Sequence, residues 1–113
     1  MIRRENRLKK NKHFKYIYKH GETKHQSVLS VCFAVTKYKP HKVGFSVSKK
    51  IGKSNVRNKV KRRMSGAYME ISEFVAKSHN YVFVAKPGIE KCDYLQIKQQ
   101  MIDSLKKAKL YVD

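Results

Sequence analysis

The densest chemistry in the sequence lies in Ser46-Val47-Ser48-Lys49-Lys50-Ile51-Gly52-Lys53-Ser54-Asn55-Val56-Arg57-Asn58-Lys59-Val60-Lys61-Arg62. Two lysines precede a glycine that can turn the chain, and Ser54 can cap the helix that follows. A helix start offers unpaired N–H groups and the positive end of its dipole, both suited to a phosphate. Arg57 and Lys61 stand one turn apart, as do Asn58 and Arg62, so the polar side chains stack along the helix. Arginine gives phosphate a bidentate fork, lysine a point charge, and asparagine a donor–acceptor pair for sugar or base edges. Such groups grip a structured polyanion backbone rather than read a base code.

The sequence offers no catalytic residue and no metal ligand. Its acids are scattered, with only Glu5 and Glu22 in residues 1–63, whereas a two-metal nuclease needs clustered carboxylates. His13, His20, His25, His41 and His79 show no metal-ligand spacing. Cys32 and Cys92 lie 60 positions apart, which fits neither a zinc site nor a disulfide scaffold. A reducing cytoplasm is the simpler reading, with Cys32 as packing rather than a nucleophile.

Charge identifies the partner class. The 113 residues carry 27 Lys+Arg against 8 Asp+Glu, a formal +19, where a magnitude of roughly 2–8 is ordinary for a small domain. Residues 1–63 hold 20 of the basic residues and 2 of the acids; residues 64–113 hold 7 and 6. Two blocks concentrate the excess, residues 3–19 and residues 49–63. Two uncompensated blocks are the footprint of a nucleic-acid surface. No apolar run approaches the ~18 residues of a membrane helix, and no apolar segment follows the charged start, so neither a membrane nor a secretory route is expected. The length suits one domain over residues 1–113, with about residues 1–7 as a loose basic arm.

The elements that must position these groups follow from periodicity. Asn11 to Lys19 reads as a short helix, with Asn11 as its N-cap and Gly21 as its stop. Phe14, Ile17 and Tyr18 share a face of it, with Ile17 in the core. Ser27 to Lys37 alternates: Leu29, Val31, Phe33 and Val35 form a buried face, while Val28, Ser30, Cys32, Ala34 and Thr36 form a small, half-polar face open to a ligand. Val43 to Ser48 resumes the alternation and is expected to pair with that strand as a hairpin. Val56, Val60, Met64, Ala67, Ile71 and Phe74 make a helical stripe, interrupted in quality by Gly66, which costs about 1 kcal/mol relative to alanine. Asn80 to Lys86 is apolar on both parities, as in a central strand. Asp93 and Gln96 suggest a capping box opening a last helix, with Leu95, Ile97, Met101, Ile102, Leu105 and Ala108 inward. The result is an α+β chain, helices on a small mixed sheet.

Gly44-Phe45-Ser46-Val47-Ser48-Lys49-Lys50-Ile51-Gly52, followed by Arg57-Asn58-Lys59-Val60-Lys61-Arg62, resembles the signature of the bacterial ribonuclease P protein subunit. Arg7-Leu8-Lys9-Lys10 with Phe14, Tyr18 and Gly21 is similar to that family's opening segment. The resemblance implies the order α-β-β-(β)-α-β-α with a left-handed β-α-β crossover, as in the second domain of a small-subunit ribosomal protein. It implies two partners, a catalytic RNA subunit and precursor tRNA, and no required protein partner. The RNA does the chemistry and removes the 5′ leader of the precursor, with magnesium held mainly by the RNA; the protein alone is inactive. By the resemblance, Lys49, Lys50, Lys53, Arg57, Asn58, Lys59, Lys61 and Arg62 contact the catalytic RNA, and Phe14, Lys15, Tyr18, Ser30 and Cys32 line a cleft for the leader. Stacking on aromatics beside positive charge holds single strands without sequence preference. The chain departs from the family at Cys32, often an aromatic, at Gln26 or Ser27, where an arginine is common, and at Ser65, often another arginine. A structural RNA-binding protein such as a ribosomal component would share the charge but not need the open aromatic cleft. Long cationic side chains also argue against a DNA-reading helix over residues 54–72.

If the two blocks make 6–10 phosphate contacts, RNA affinity should fall by roughly 10³–10⁵ between 50 and 200 mM salt. Filter binding across that range measures the slope, and a flat response contradicts the charge argument.

Overall fold

A computed structural model describes residues 4–112 of the chain. Three helices, α1 (Asn11–His20), α2 (Ser54–Ile71) and α3 (Tyr94–Lys107), surround four strands, β1 (Glu22–His25), β2 (Leu29–Val35), β3 (Val43–Ser46) and β4 (His79–Ala85). The sheet order is β1-β2-β4-β3. β1 and β4 both pair antiparallel with β2, and β3 pairs parallel with β4.

The expected hairpin between β2 and β3 does not form. β4 lies between them, with Val31 opposite Phe83 on one side and Phe45 opposite Phe83 on the other. Its side chains explain the choice. Tyr81, Val82 and Phe83 are fully buried, and only a central strand has a covered face on both sides. Periodicity does not mark β1, although the order implied by the resemblance has a place for it. Its Glu22-Thr23-Lys24-His25 segment has no apolar phase, and its pairing with β2 combines the backbone ladder with polar side-chain contacts from Thr23 and His25.

α2 and α3 cover one face of the sheet. Leu29, Val31, Phe33, Tyr81 and Phe83 meet Val60, Met64, Ala67, Tyr68, Ile71, Ile97, Met101 and Leu105 there. Removing a methionine or leucine side chain from such a site costs about 2–5 kcal/mol. Phe45 stacks on Phe83 across the strands at a centroid spacing of 6.0 Å, and Phe83 on Tyr81 along β4 at 6.4 Å. Two stripe residues depart from expectation. Leu95 is 70% exposed, because two positions before Ile97 it lies about 200° round the helix. Phe74 falls in a 3-10 turn after α2 and is part-exposed, while Tyr68 takes a place in the stripe. Val35, the last residue of β2, is exposed as well. The Asp93–Gln96 capping box is present, with Gln96 N–H donating to Asp93 Oδ1 at 2.8 Å and Asp93 N–H to Gln96 Oε1 at 2.9 Å.

α1 covers part of the opposite face through a second, smaller core of Leu8, Ile17, Cys32, Ala34 and Val82. Lys10, not Asn11, occupies its N-cap position. Gly21 ends it in extended conformation, so space rather than φ requires the glycine: a Cβ there would lie 2.3 Å from the carbonyl oxygen of Phe33. The described residues ahead of α1 are hydrogen-bonded to the loop before β3 and to β3 itself. Leu8 N–H donates to Val43 O at 2.9 Å, Asn6 Nδ2 to His41 O at 2.9 Å, and Lys42 Nζ to Glu5 O at 2.9 Å. Met1 to Arg3 lie outside the described residues.

Gly66 leaves α2 unbroken, and a Cβ there would meet only Tyr94 Cε1, at an ordinary 3.5 Å. Gly66→Ala should therefore raise stability by about 0.5–1 kcal/mol, read from urea denaturation midpoints. Buried His41 shares a 2.9 Å hydrogen bond between its Nε2 and Tyr68 Oη. Burial, then the Lys77 charge, holds its imidazole below the usual histidine range. The unfolded chain thus takes up this proton first, so the contribution is present at neutral pH and is lost as pH falls below about 6.5. Stability of the parent chain should drop more steeply over that acid range than stability of His41→Gln.

Candidate nucleic-acid interface

β3 runs out at Ser46 and delivers the chain to a 3-10 turn, Lys49–Ile51, whose two lysines are exposed while Ile51 is buried as its anchor. Gly52 then takes φ 155°, a region closed to other residues in practice, and a Cβ would also crowd Val56 at 3.1 Å. Ser54 does not cap α2. Lys53 holds the N-cap position in extended conformation, and no side chain accepts from the first turn. The first N–H groups of α2 are therefore left without a side-chain acceptor, next to Lys49, Lys50 and Lys53. That is an electropositive corner made by backbone and side chains together.

Along α2 the buried residues define one side. At 100° per residue, Asn58, Lys59 and Arg62 point away from it, Lys61 lies on its flank, and Arg57 stands between Lys61 and the buried stripe. Asn58, Lys59, Lys61 and Arg62 are exposed, and Arg57 is half-buried, with its Nε unpartnered. Lys59 falls about 60° round from Arg62 and carries the exposed surface on toward the α3 side of the helix. Arg63 is turned inward on the same flank, its Nη1 donating to Cys92 O at 2.9 Å. Among the described residues the one ion pair is Lys98–Glu70, at 3.4 Å, and both partners lie in the half of the chain that is nearly neutral. The interface cations therefore keep their field for an external partner.

The other expected set surrounds α1. Tyr18 and Lys15 are exposed, and Phe14 is half-buried, with its ring 6.5 Å from that of Tyr18. Phe14 is seated on Gly44, where a Cβ would lie 2.6 Å from the ring. Gly44 is thus a positioning residue that the sequence pattern did not single out. The half-open sheet face is closed at Ser30 and Cys32. Both are buried, Ser30 Oγ lying 2.7 Å from His25 Nδ1 and Cys32 Sγ 3.3 Å from Thr23 Oγ1. α1 on one side and β1 on the other supply this cover. The part of the face that stays accessible is formed by Val84 and Ser46, beside the Lys49–Lys50 turn. Lys107 Nζ and Lys86 Nζ hold the far edge by donating to His25 O and Gln26 O at 2.9 and 2.8 Å.

Among the described residues no three His, Cys, Asp or Glu side chains come together as metal ligands, and no helix is long and apolar enough to cross a membrane. The geometry provides two neighbouring surfaces for a polyanion: a convex cationic helix face and a shallow aromatic edge.

Comparison with known proteins agrees with this layout. The ribonuclease P family model matches residues 2–109. The ribonuclease P protein component of Clostridium botulinum is 36% identical over 109 residues, covering 96% of this chain and 98% of that protein. The corresponding component of Alkaliphilus metalliredigens is 33% identical over 105 residues, covering 93% and 95%. The structure of the Staphylococcus aureus RNase P protein superposes with a TM-score of 0.85 at 30% identity, covering 94% of this chain and 97% of that one. The Thermotoga maritima RNase P protein shares the fold, with a TM-score of 0.81 at 22% identity over 89% and 96%. An uncapped cationic helix start, an unneutralised Arg57–Arg62 surface and full-length similarity converge on one conclusion: the chain belongs to the ribonuclease P protein family.

Proposed function

We propose that this chain is the protein subunit of a bacterial ribonuclease P ribonucleoprotein, gripping the catalytic RNA with α2 and guiding the 5′ leader of precursor tRNA past α1. The observation that carries this reading is the clustering of Asn58, Lys59, Lys61 and Arg62 on the exposed arc of α2, with Arg57 beside them and no carboxylate partner among the described residues, next to the uncapped start of the helix. Arginine forks and lysine charges there replace counterions on the RNA backbone, and their release into bulk drives association. Lys49, Lys50 and Lys53 extend the same field to the end of β3, next to the accessible Ser46 and Val84. Phe14, fixed on Gly44, and the exposed Tyr18 ring offer stacking faces to unpaired leader nucleotides, with Lys15 nearby for phosphate.

The chemistry belongs to the RNA in this reading. Magnesium polarises phosphates and supplies the attacking hydroxide when bound in such enzymes. The described residues of this chain offer it no carboxylate cluster, so its ligands would be RNA phosphates. The protein's part is to neutralise phosphate repulsion between the two RNAs and to bind the leader, which the mature product lacks. That difference favours substrate over product.

Purified protein mixed with the cognate catalytic RNA should cleave precursor tRNA at lower magnesium than the RNA alone. Phe14→Ala should weaken binding of the precursor by about 5- to 100-fold, the stacking of one base, and leave binding of mature tRNA unchanged. Arg62→Ala should weaken binding of the catalytic RNA itself. Identical magnesium dependence with and without the protein would sink the proposal.

A further inference from the structure

α1 divides its face of the sheet. Phe14 and Tyr18 look to one flank, and His13 and Tyr16 to the other, on opposite sides of buried Ile17. On the second flank a cavity of about 550 Å³ opens between α1, the segment after β2 and the start of β4, within the roughly 300–1,000 Å³ of small-ligand sites. Its floor is apolar, made of the buried Leu8, Ile17 and Ala34. Tyr16 and Tyr38 line it and are 56% and 77% exposed. Tyr16 is braced from behind its own helix turn by the His20 ring, at a centroid distance of 4.5 Å.

The polar groups are few and placed. Lys37 and Lys42 line the cavity, and no carboxylate does. Asn80 Oδ1 accepts from Lys42 N–H at 2.7 Å, which sets the amide orientation and leaves its NH₂ as a donor. Thr36 Oγ1 accepts from Tyr38 N–H at 3.2 Å, which holds the tyrosine-bearing loop and leaves the hydroxyl proton to give. An apolar guest would use the floor but not the lysines or the amide. An acidic peptide would use the lysines but not the two rings. A nucleotide uses all of them: π-face on tyrosine, base edge on the Asn80 and Thr36 donors, phosphate at the cationic rim.

We propose that this cavity takes one unpaired nucleotide of a bound RNA, its base against Tyr16 and Tyr38 and its phosphate at Lys37 and Lys42, as a second single-strand site that α1 separates from the Phe14–Tyr18 edge. The proposal rests on the reading that this chain binds RNA. It extends the single-strand path beyond the flank of α1 that carries Phe14 and Tyr18.

The test is amide NMR on the ¹⁵N-labelled full chain, titrated with pentauridylate and, separately, with an abasic pentamer of equal charge. Pentauridylate should shift the amides of Thr36, Tyr38 and Asn80, and the abasic chain should barely move them. Replacing Tyr16 and Tyr38 together by alanine should weaken that response about tenfold, while Ser46 and Val84 respond as before. Both tyrosines are exposed, and unchanged dispersion of the variant spectrum checks its fold. Equal shifts with the two probes overturn base recognition. Shifts at Ser46 and Val84 alone overturn the cavity site and leave the leader reading standing. Silence at every amide with both probes overturns the two readings together.

Discussion

The structure hangs on β4. Its Tyr81 and Phe83 enter the large core under α2 and α3, while Val82 enters the small core under α1. β2 also enters both layers, but among the four strands β4 alone joins the two pairing senses, antiparallel with β2 and parallel with β3. Its burial is worth roughly 1.5–3 kcal/mol for each large apolar side chain, so its position between β2 and β3 outweighs the short loop closure that a hairpin would have enjoyed. With β4 central, β3 becomes an edge strand. Its end projects the Lys49–Lys50 turn and the start of α2 into solvent, clear of other elements.

That placement reconciles a large charge with a stable core. Self-repulsion among so many cations opposes compaction. The fold answers by keeping the cationic surface on the outward side of α2 and on α1, while the fully buried residues are apolar apart from a few polar groups such as His41 and Ser104, which are hydrogen-bonded. The nearly neutral C-terminal half supplies β4 and α3, the elements that complete the large core. Division of labour along the chain thus becomes division by face in space. The cost is an interface short of internal partners, of which the unpartnered Arg57 Nε is one mark.

Much of the interface was legible in the residues. The step from Ser46 to Arg62 announced a turn, a glycine and a cationic helix, and the helix occupies Ser54–Ile71. The smaller site was less legible. Period-2 alternation places Ser30 and Cys32 on the face opposite Leu29 and Val31, but cannot say whether that face is covered. Ile17 from above and Thr23 and His25 from the side close it. Periodicity passes over β1 because its side chains are polar on both phases, and it gives Gly44 no role because that role is to be empty beneath the Phe14 ring.

The sequence by itself determined the properties carried by neighbours along the chain: the amphipathic stripes of the helices, the capping box at Asp93, the forced turn at Gly52, and the separation of charge into two blocks. These depend on local sterics and on repeat periods of 3.6 and 2, which are written residue by residue. Only the tertiary structure decided the strand order, the covering of Ser30 and Cys32, the space under Phe14, and the cavity between Tyr16 and Tyr38. Those depend on which segments, far apart in sequence, compete for the same buried surface. That competition is settled by β4 filling the one position where Tyr81, Val82 and Phe83 can all leave water.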